Sequence, residues 1–438
     1  MIGFLKPAPH VKRLPPQQVG RRYAHLRWQI LEATFIGYSF FYLVRNNLSP
    51  VAKEVSEAVG YSRGEIGDFL AITAISYGVG KFLMGSLSDR SNPRYFMPLG
   101  LLLTAACNFA FGSITDYSLH LVLWGLNGLF QGMGWPPCGR SLGHWYSVKE
   151  RGSIFAVWNI AHNVGGGLAG VIAAESLRAF GWQFAFYVPG VLAVLCALYL
   201  LWLLRDTPQS EGLPPIEEHR PSATSGAATY DAGHESELST RDLFLKYILP
   251  NKWLWIFALA NFFVYIARYS MLDWGPTYLK EVKGADISEG GYSTLVLEFA
   301  GIPSTLLMGW LSDRMQGRRG LISLLCMIPI FAAFVGIMYS PADMLWLDMT
   351  LLGVIGFFVY PPVMLLGVAG IDLTSKKAAG TAAGFIGLFG YLGRTVQGKV
   401  LGVVSEQHDW HAAFQLILLA TVTGMILLAL TVRVKPKE

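Results

Sequence analysis

GSLSDRSNPR, residues 85–94, returns as GWLSDRMQGR at residues 309–318, and the two aspartates, Asp89 and Asp313, lie 224 positions apart. Two further landmarks keep nearly the same distance. WPPCG begins at Trp135 and YPPVM at Tyr360, 225 residues on, and Arg45 precedes Arg268 by 223. Apolar segments resemble one another by chance, but polar landmarks do not keep one offset by chance. A duplicated unit is therefore expected. The copies are divided by the polar stretch 205–250, in which PSATSGAATYDAGHESELST has the composition of a disordered linker.

Around these landmarks the chain is apolar. Of its 438 residues 53% are hydrophobic and only 14% are charged, against about 25% charged in soluble domains. The apolar residues come in long unbroken runs such as VLAVLCALYLLWLL and LISLLCMIPIFAAFVGIMY. A helix needs roughly 20 such residues to cross the hydrocarbon core. The runs are continuous rather than alternating, so helices are expected rather than a barrel. Twelve spans are predicted, at 27–48, 64–87, 94–114, 119–143, 153–178, 182–204, 252–279, 289–312, 320–339, 345–371, 377–404 and 409–432. The fold class is thus an all-α membrane protein of two pseudo-symmetric six-helix bundles, 27–204 and 251–432. The tails are 1–26 and 433–438, and the linker is 205–250.

Lys and Arg in the loops set orientation. Leaving out the central stretch, nineteen fall on the side of the termini and five, Lys53, Arg63, Arg178, Lys280 and Lys283, on the other. Both termini are predicted to be cytoplasmic, with the chain multi-pass in a bacterial inner membrane. The polar start carries no apolar leader region, so the first span is expected to act as the insertion signal. The net charge of +5 reads as topology, with no basic–aromatic motif pointing to nucleic acid. Cys107, Cys138, Cys196 and Cys326 all fall in spans, with spacing that suits neither a metal site nor a disulfide frame. They read as packing residues. No metal or cofactor is expected, no P-loop or nucleophile–base pair points to an enzyme, and a monomer is expected.

Charges inside spans mark transport pathways, and here they are mostly basic: Arg45, Lys81, His162, Arg268 and Arg394, with Glu32, Asp273 and Glu298 as scarcer acids. Arg45 and Arg268 hold equivalent repeat positions, which would set them facing across a central axis. Two guanidinium groups there repel unless an anion joins them, and a phosphate dianion accepts paired hydrogen bonds from each. Lys81, with Tyr77 one turn before it, is a candidate for recruiting the anion. His162 can donate or accept, and Asn159 of the same run is counted with it. Tyr38, Tyr42 and Arg45 follow i, i+4, i+7 spacing on one face of the first span, and Tyr265, Tyr360 and Tyr391 are further candidates for a polar lining. Gly165, Gly166, Gly167 and Gly170 have the spacing of close helix packing. Asp89, Arg90, Asp313 and Arg314 of the repeated loops read as structural or gating residues.

At FLKPAPH, HLRWQI, YLVRNN, MGSLSDRSNPR, FQGMGWPPCGR, WNIAHNVGGG, RDTPQSEGLPPIEE and LDWGPTYLKEVK, nearly end to end, the chain resembles the organophosphate:phosphate antiporters of the major facilitator superfamily. Among them it is most similar to the members that carry glycerol-3-phosphate. Hexose-phosphate and phosphoglycerate carriers and a related sugar-phosphate sensor share several of these strings, but not the N-terminal and central ones. The resemblance implies exchange of external glycerol-3-phosphate for internal inorganic phosphate. It implies that Arg45 and Arg268 bind the phosphoryl group, that Lys81 and His162 assist, and that the tyrosines line the pore. Two positions depart from the pattern. Family members carry Lys after the first-span arginine, where this chain has Asn46, and Gly after YLG in the eleventh span, where it has Arg394. That family Lys is expected to pair with acids matching Asp273 and Glu298. Arg394 either replaces the missing cation opposite Asp273 or Glu298, or meets a substrate carboxylate.

Overall fold

The computed structural model describes residues 5–220, 244–374 and 379–435, without the side chains of Phe82, Val148, Lys149, Phe244, Tyr247, Asp313, Ala379 and Gly380. The expected disorder of 221–240 falls outside them. Helices fill the rest, and there is no strand among the described residues. In chain order they are α1 (Pro16–Leu43), α2 (Ala52–Val59), α3 (Arg63–Ser88), α4 (Pro93–Ser113), α5 (Tyr117–Gln131), α6 (Trp135–Trp145), α7 (Val148–Phe180), α8 (Phe184–Leu203), α9 (Ile216–His219), α10 (Lys252–Tyr269), α11 (Gly275–Val282), α12 (Ile287–Arg314), α13 (Arg319–Tyr339), α14 (Leu345–Asp372), α15 (Ala379–Gln407) and α16 (Trp410–Ala429).

Each of the twelve expected spans is covered by helix over most of its length. Eight stretches, among them Lys252–Val282, are long and apolar enough in themselves to cross a membrane. Three spans are interrupted. The first stops at Leu43, the fourth is divided between α5 and α6, and the seventh passes through a π turn, Ser270–Trp274, between α10 and α11. The division of the fourth has a plain cause: two prolines, Pro136 and Pro137, open α6, and proline favours a helix start over a helix interior.

The chain forms two compact units. The first comprises Met1–Asn46, Ser76–Ala169 and Phe186–Ser236; the second comprises Asn47–Ile75, Gly170–Ala185 and Glu237–Glu438. The core of the first unit gathers Tyr38, Phe41, Met97, Cys138, Trp145, Trp158 and Leu200. Its helices cross at glycine: a Cβ on Gly165 would lie 2.2 Å from the Ser39 carbonyl, and one on Gly80 would lie 2.4 Å from that of Leu129. All four cysteines are buried.

Residues 205–220 of the linker are folded against the N-terminal tail in the first unit. Arg13 pairs with Glu218 at 2.8 Å, Arg22 with Glu211 at 2.9 Å and Arg140 with Asp206 at 2.5 Å. The Leu14 N–H donates to the Gly212 carbonyl at 2.8 Å, and the Tyr23 hydroxyl to that of Pro214 at 3.0 Å. Polarity alone marks such a segment as loop; the acids that match the tail's cations make it a clasp.

Candidate functional site

Arg45 lies beyond the end of α1, so the expected i+7 position on a continuous helix face is corrected. The Val44 carbonyl does not continue the helix. It accepts from the side-chain amides of Asn108 and Asn127, both at 3.0 Å. The chain resumes as a short 3-10 turn, Ser49–Val51, with Pro50 in its first positions, where proline is tolerated. The Arg45 side chain is 5% exposed. Its guanidinium lies 3.8 Å from the ring centre of Tyr42 and 4.8 Å from that of Tyr77. Two aromatic faces thus hold the cation without neutralising it. Tyr38 meets Tyr42 edge-on at 5.4 Å and stacks on Trp158 at 4.8 Å. His162 lies 5.9 Å from Tyr42 and contacts the Asn159 carbonyl through Nδ1, which makes Nδ1 the protonated nitrogen. The structure therefore gathers Tyr38, Tyr42, Arg45, Tyr77, Asn159 and His162 in the first unit.

Lys81 lies lower on α3, its ammonium 5.3 Å from the Trp135 ring centre. It makes no ion pair among the described residues. With Asp89, Trp135, Arg140 and Phe155 it lines a cavity of about 360 Å³. Asp89 and Arg90 are exposed and form no ion pair among the described residues. The Asp313 side chain lies outside the description, and Arg314 rests 4.2 Å over Trp310.

Arg268 is the second unit's buried counterpart, 6% exposed. It too precedes a break, because the π turn begins two residues later; such turns recur at functional sites. Its guanidinium lies 4.4 Å from the Tyr360 ring and 5.0 Å from that of Tyr269. Its Nε is buried without a hydrogen-bond partner among the described residues. The Tyr360 hydroxyl donates to fully buried Glu298. Tyr265 meets Tyr391 edge-on at 5.7 Å. Glycine admits these rings: a Cβ on Gly301 would lie 2.3 Å from Tyr360, and one on Gly390 would lie 2.8 Å from Tyr265.

Beside this pocket Arg394 is paired with Asp273. Its Nη2 lies 3.1 Å from Oδ1 and its Nε 3.4 Å from Oδ2. Asp273 also accepts from the Gln397 amide at 2.7 Å and from the Ser49 hydroxyl at 3.5 Å. Both charged side chains are almost wholly buried. Buried ions need such partners, since desolvation otherwise costs several kcal/mol per ion.

Several pairs in the second unit were invisible to the sequence reading, which counted Arg63 and Lys280 only as loop charge and did not single out Lys399. Lys280 donates to Glu54 at 2.7 Å and to the Pro50 carbonyl at 2.8 Å. Arg63 meets Glu281 at 2.6 Å and Lys399 meets Asp68 at 2.7 Å. Here α3 also touches α15 closely: a Cβ on Gly67 would lie 2.6 Å from the Gly398 carbonyl.

No cluster of three or more metal-binding side chains occurs among the described residues. The sequence profile described as Major Facilitator Superfamily matches residues 34–398. A glycerol-3-phosphate transporter of Bacillus subtilis (strain 168) is 41% identical, covering 98% of each chain. The membrane sensor protein UhpC of Salmonella typhimurium (strain LT2) is 36% identical, covering 100% of this chain and 99% of that one. Among solved structures, a bacterial homolog of the human lysosomal transporter Spinster, inward-facing and occupied, matches with a TM-score of 0.71 at 15% identity, covering 93% of this chain and 95% of that one. At that identity the likeness concerns the fold alone.

Proposed function

Because the chain belongs to the Major Facilitator Superfamily, in its organophosphate:phosphate antiporter family, we propose that it takes up glycerol-3-phosphate in exchange for inorganic phosphate. It does so by alternating access, as a monomer in a bacterial inner membrane with both termini cytoplasmic. The observation that carries this reading is a pair of buried arginines at equivalent repeat positions, each set against two aromatic rings. A guanidinium stays charged and can present paired donors to a phosphate dianion.

In this cycle Arg45 and Arg268 bind the phosphoryl group. Lys81 recruits it, and His162, Asn159, Tyr38, Tyr42, Tyr77, Tyr265, Tyr360 and Tyr391 contact the ester. Charge-assisted hydrogen bonds of about 1.5–3 kcal/mol each offset the anion's desolvation. A ligand shifts the carrier's conformational equilibrium only by its differential affinity for the two states. Inorganic phosphate on the return leg supplies the same charge, so exchange is favoured over net flux. Asp273 and Glu298 hold the second unit's charge balance, and Arg394 takes over the cation that relatives carry after the first-span arginine. The pairing of Arg394 with Asp273 supports this over contact with a substrate carboxylate. The variant Asn46→Lys/Arg394→Gly is expected to keep both exchange and preference for glycerol-3-phosphate; a shift away from phosphoglycerate uptake would favour the carboxylate reading.

The 36% identical sensor supports one rival, a phosphate-ester receptor without transport. Proteoliposomes loaded with phosphate separate the two. Counterflow of glycerol-3-phosphate ahead of hexose phosphate and phosphoglycerate is expected, and binding without counterflow would establish the sensor instead.

A further inference from the structure

A cavity of about 260 Å³ lies beside the first turns of α1, apart from the groups described above. Arg27, Arg220 and His219 form its polar wall, and Trp28, Leu31 and Ile154 its apolar wall. No carboxylate lines it among the described residues. Arg27 and Arg220 both pair with Glu150 behind the wall, at 2.7 and 2.9 Å. Burial pushes the Glu150 carboxyl up, but the Arg27 and Ser147 donors outweigh it and hold the group below the usual carboxylate range. Glu150 is therefore charged, and one negative charge between two guanidiniums leaves one positive charge facing the cavity. Arg27 lies 4.4 Å over the Tyr146 ring. Its Nε is buried with no hydrogen-bond partner among the described residues.

The apolar wall says what kind of anion fits. Trp28 is 72% exposed, and it stands where the first span's apolar run begins. Tryptophan at that level marks the membrane interface, and basic pockets between helices there take phospholipid headgroups. We propose that this cavity binds an anionic phospholipid from the leaflet on the N-terminal side. The phosphodiester is held by Arg27 and Arg220, and an acyl chain lies along Trp28, Leu31 and Ile154. A free phosphate shares the headgroup chemistry but has no use for the apolar wall.

The test uses the full chain in nanodiscs of equal phosphatidylglycerol and phosphatidylcholine, with retained lipids counted by native mass spectrometry. Wild type is expected to keep one phosphatidylglycerol in preference to phosphatidylcholine. Arg27→Gln is expected to weaken that preference about tenfold. Arg220→Gln and Trp28→Ala alter exposed side chains, so each is expected to fold and to weaken the preference, even where Arg27→Gln does not fold. Equal retention of both lipids by wild type, or a preference unmoved by Arg220→Gln and Trp28→Ala, overturns the proposal. Inorganic phosphate is expected to leave the lipid bound; if it displaces the lipid, the cavity belongs to free phosphate and the lipid assignment fails.

Discussion

The two buried arginines have the same kind of neighbour supplied from different places. In the first unit the second ring on Arg45 is Tyr77, from α3. The position 224 residues later is Gly301 on α12, and the ring on Arg268 comes instead from Tyr360 on α14. Gly301 leaves the space that Tyr360 fills, since a Cβ there would come within 2.3 Å of the ring. The repeat partner of Tyr360 is Trp135, which in the first unit carries Lys81. Duplication has thus kept the cation–ring contact while exchanging the helix that provides it. Glu298 and Asp273 flank the Arg268 side, with Arg394 against Asp273. On the Arg268 side the two buried arginines are balanced by two buried acids.

If both cations nonetheless do one job, Arg45→Lys and Arg268→Lys should each lower phosphate exchange by roughly a hundredfold, because Lys cannot donate bidentately. Wild-type flux in one variant alone would break the equivalence of the two pockets. The next effect belongs to the balanced side. Asp273→Asn strands the buried Arg394 and should cost about 3–5 kcal/mol of stability. Thermal unfolding in detergent reads this, and Asp273→Asn/Arg394→Gly should recover most of the loss. Gly301→Ala pushes Tyr360 off Arg268 and should cost about 1–3 kcal/mol through overpacking, with reduced exchange. The same substitution at half-buried Gly85, which has open space around it, should leave both unchanged.

The smallest effect concerns the clasp of the first unit. His219 stacks on Tyr23 at 4.3 Å. Burial, then Arg220 and Arg27, lower its pKa below the usual histidine value. The unfolded chain therefore binds the proton more readily, and the clasp's contribution is present above the ordinary histidine pKa and lost as pH falls below it. The melting temperature should fall from pH 7.5 to 5.5, and His219→Gln should flatten that slope.

Much of this was legible before any coordinates. Long apolar runs force helices, and the repeat offset of 223 to 225 residues matches Arg45 with Arg268. The two departures, Asn46 and Arg394, pointed to Asp273, and Arg394 does meet it. The Tyr77–Gly301 exchange was also open to reading by the same offset. What stayed hidden depends on partners remote in sequence. Nothing local says that Asn108 and Asn127 capture the Val44 carbonyl and end α1 before Arg45. Nor does the chain announce that Lys280 seeks Glu54, or that Arg13 and Arg22 seek Glu218 and Glu211. Charge counting treats such residues as independent, and only the fold makes them pairs.

Equilibrium binding tests the central claim most directly, without the conformational steps that transport adds. Titration of inorganic phosphate into wild type, Arg45→Lys and Arg268→Lys should show binding by wild type and at least about tenfold weaker binding by each variant. Wild-type affinity in either variant would contradict the account, because that guanidinium would then not hold the anion.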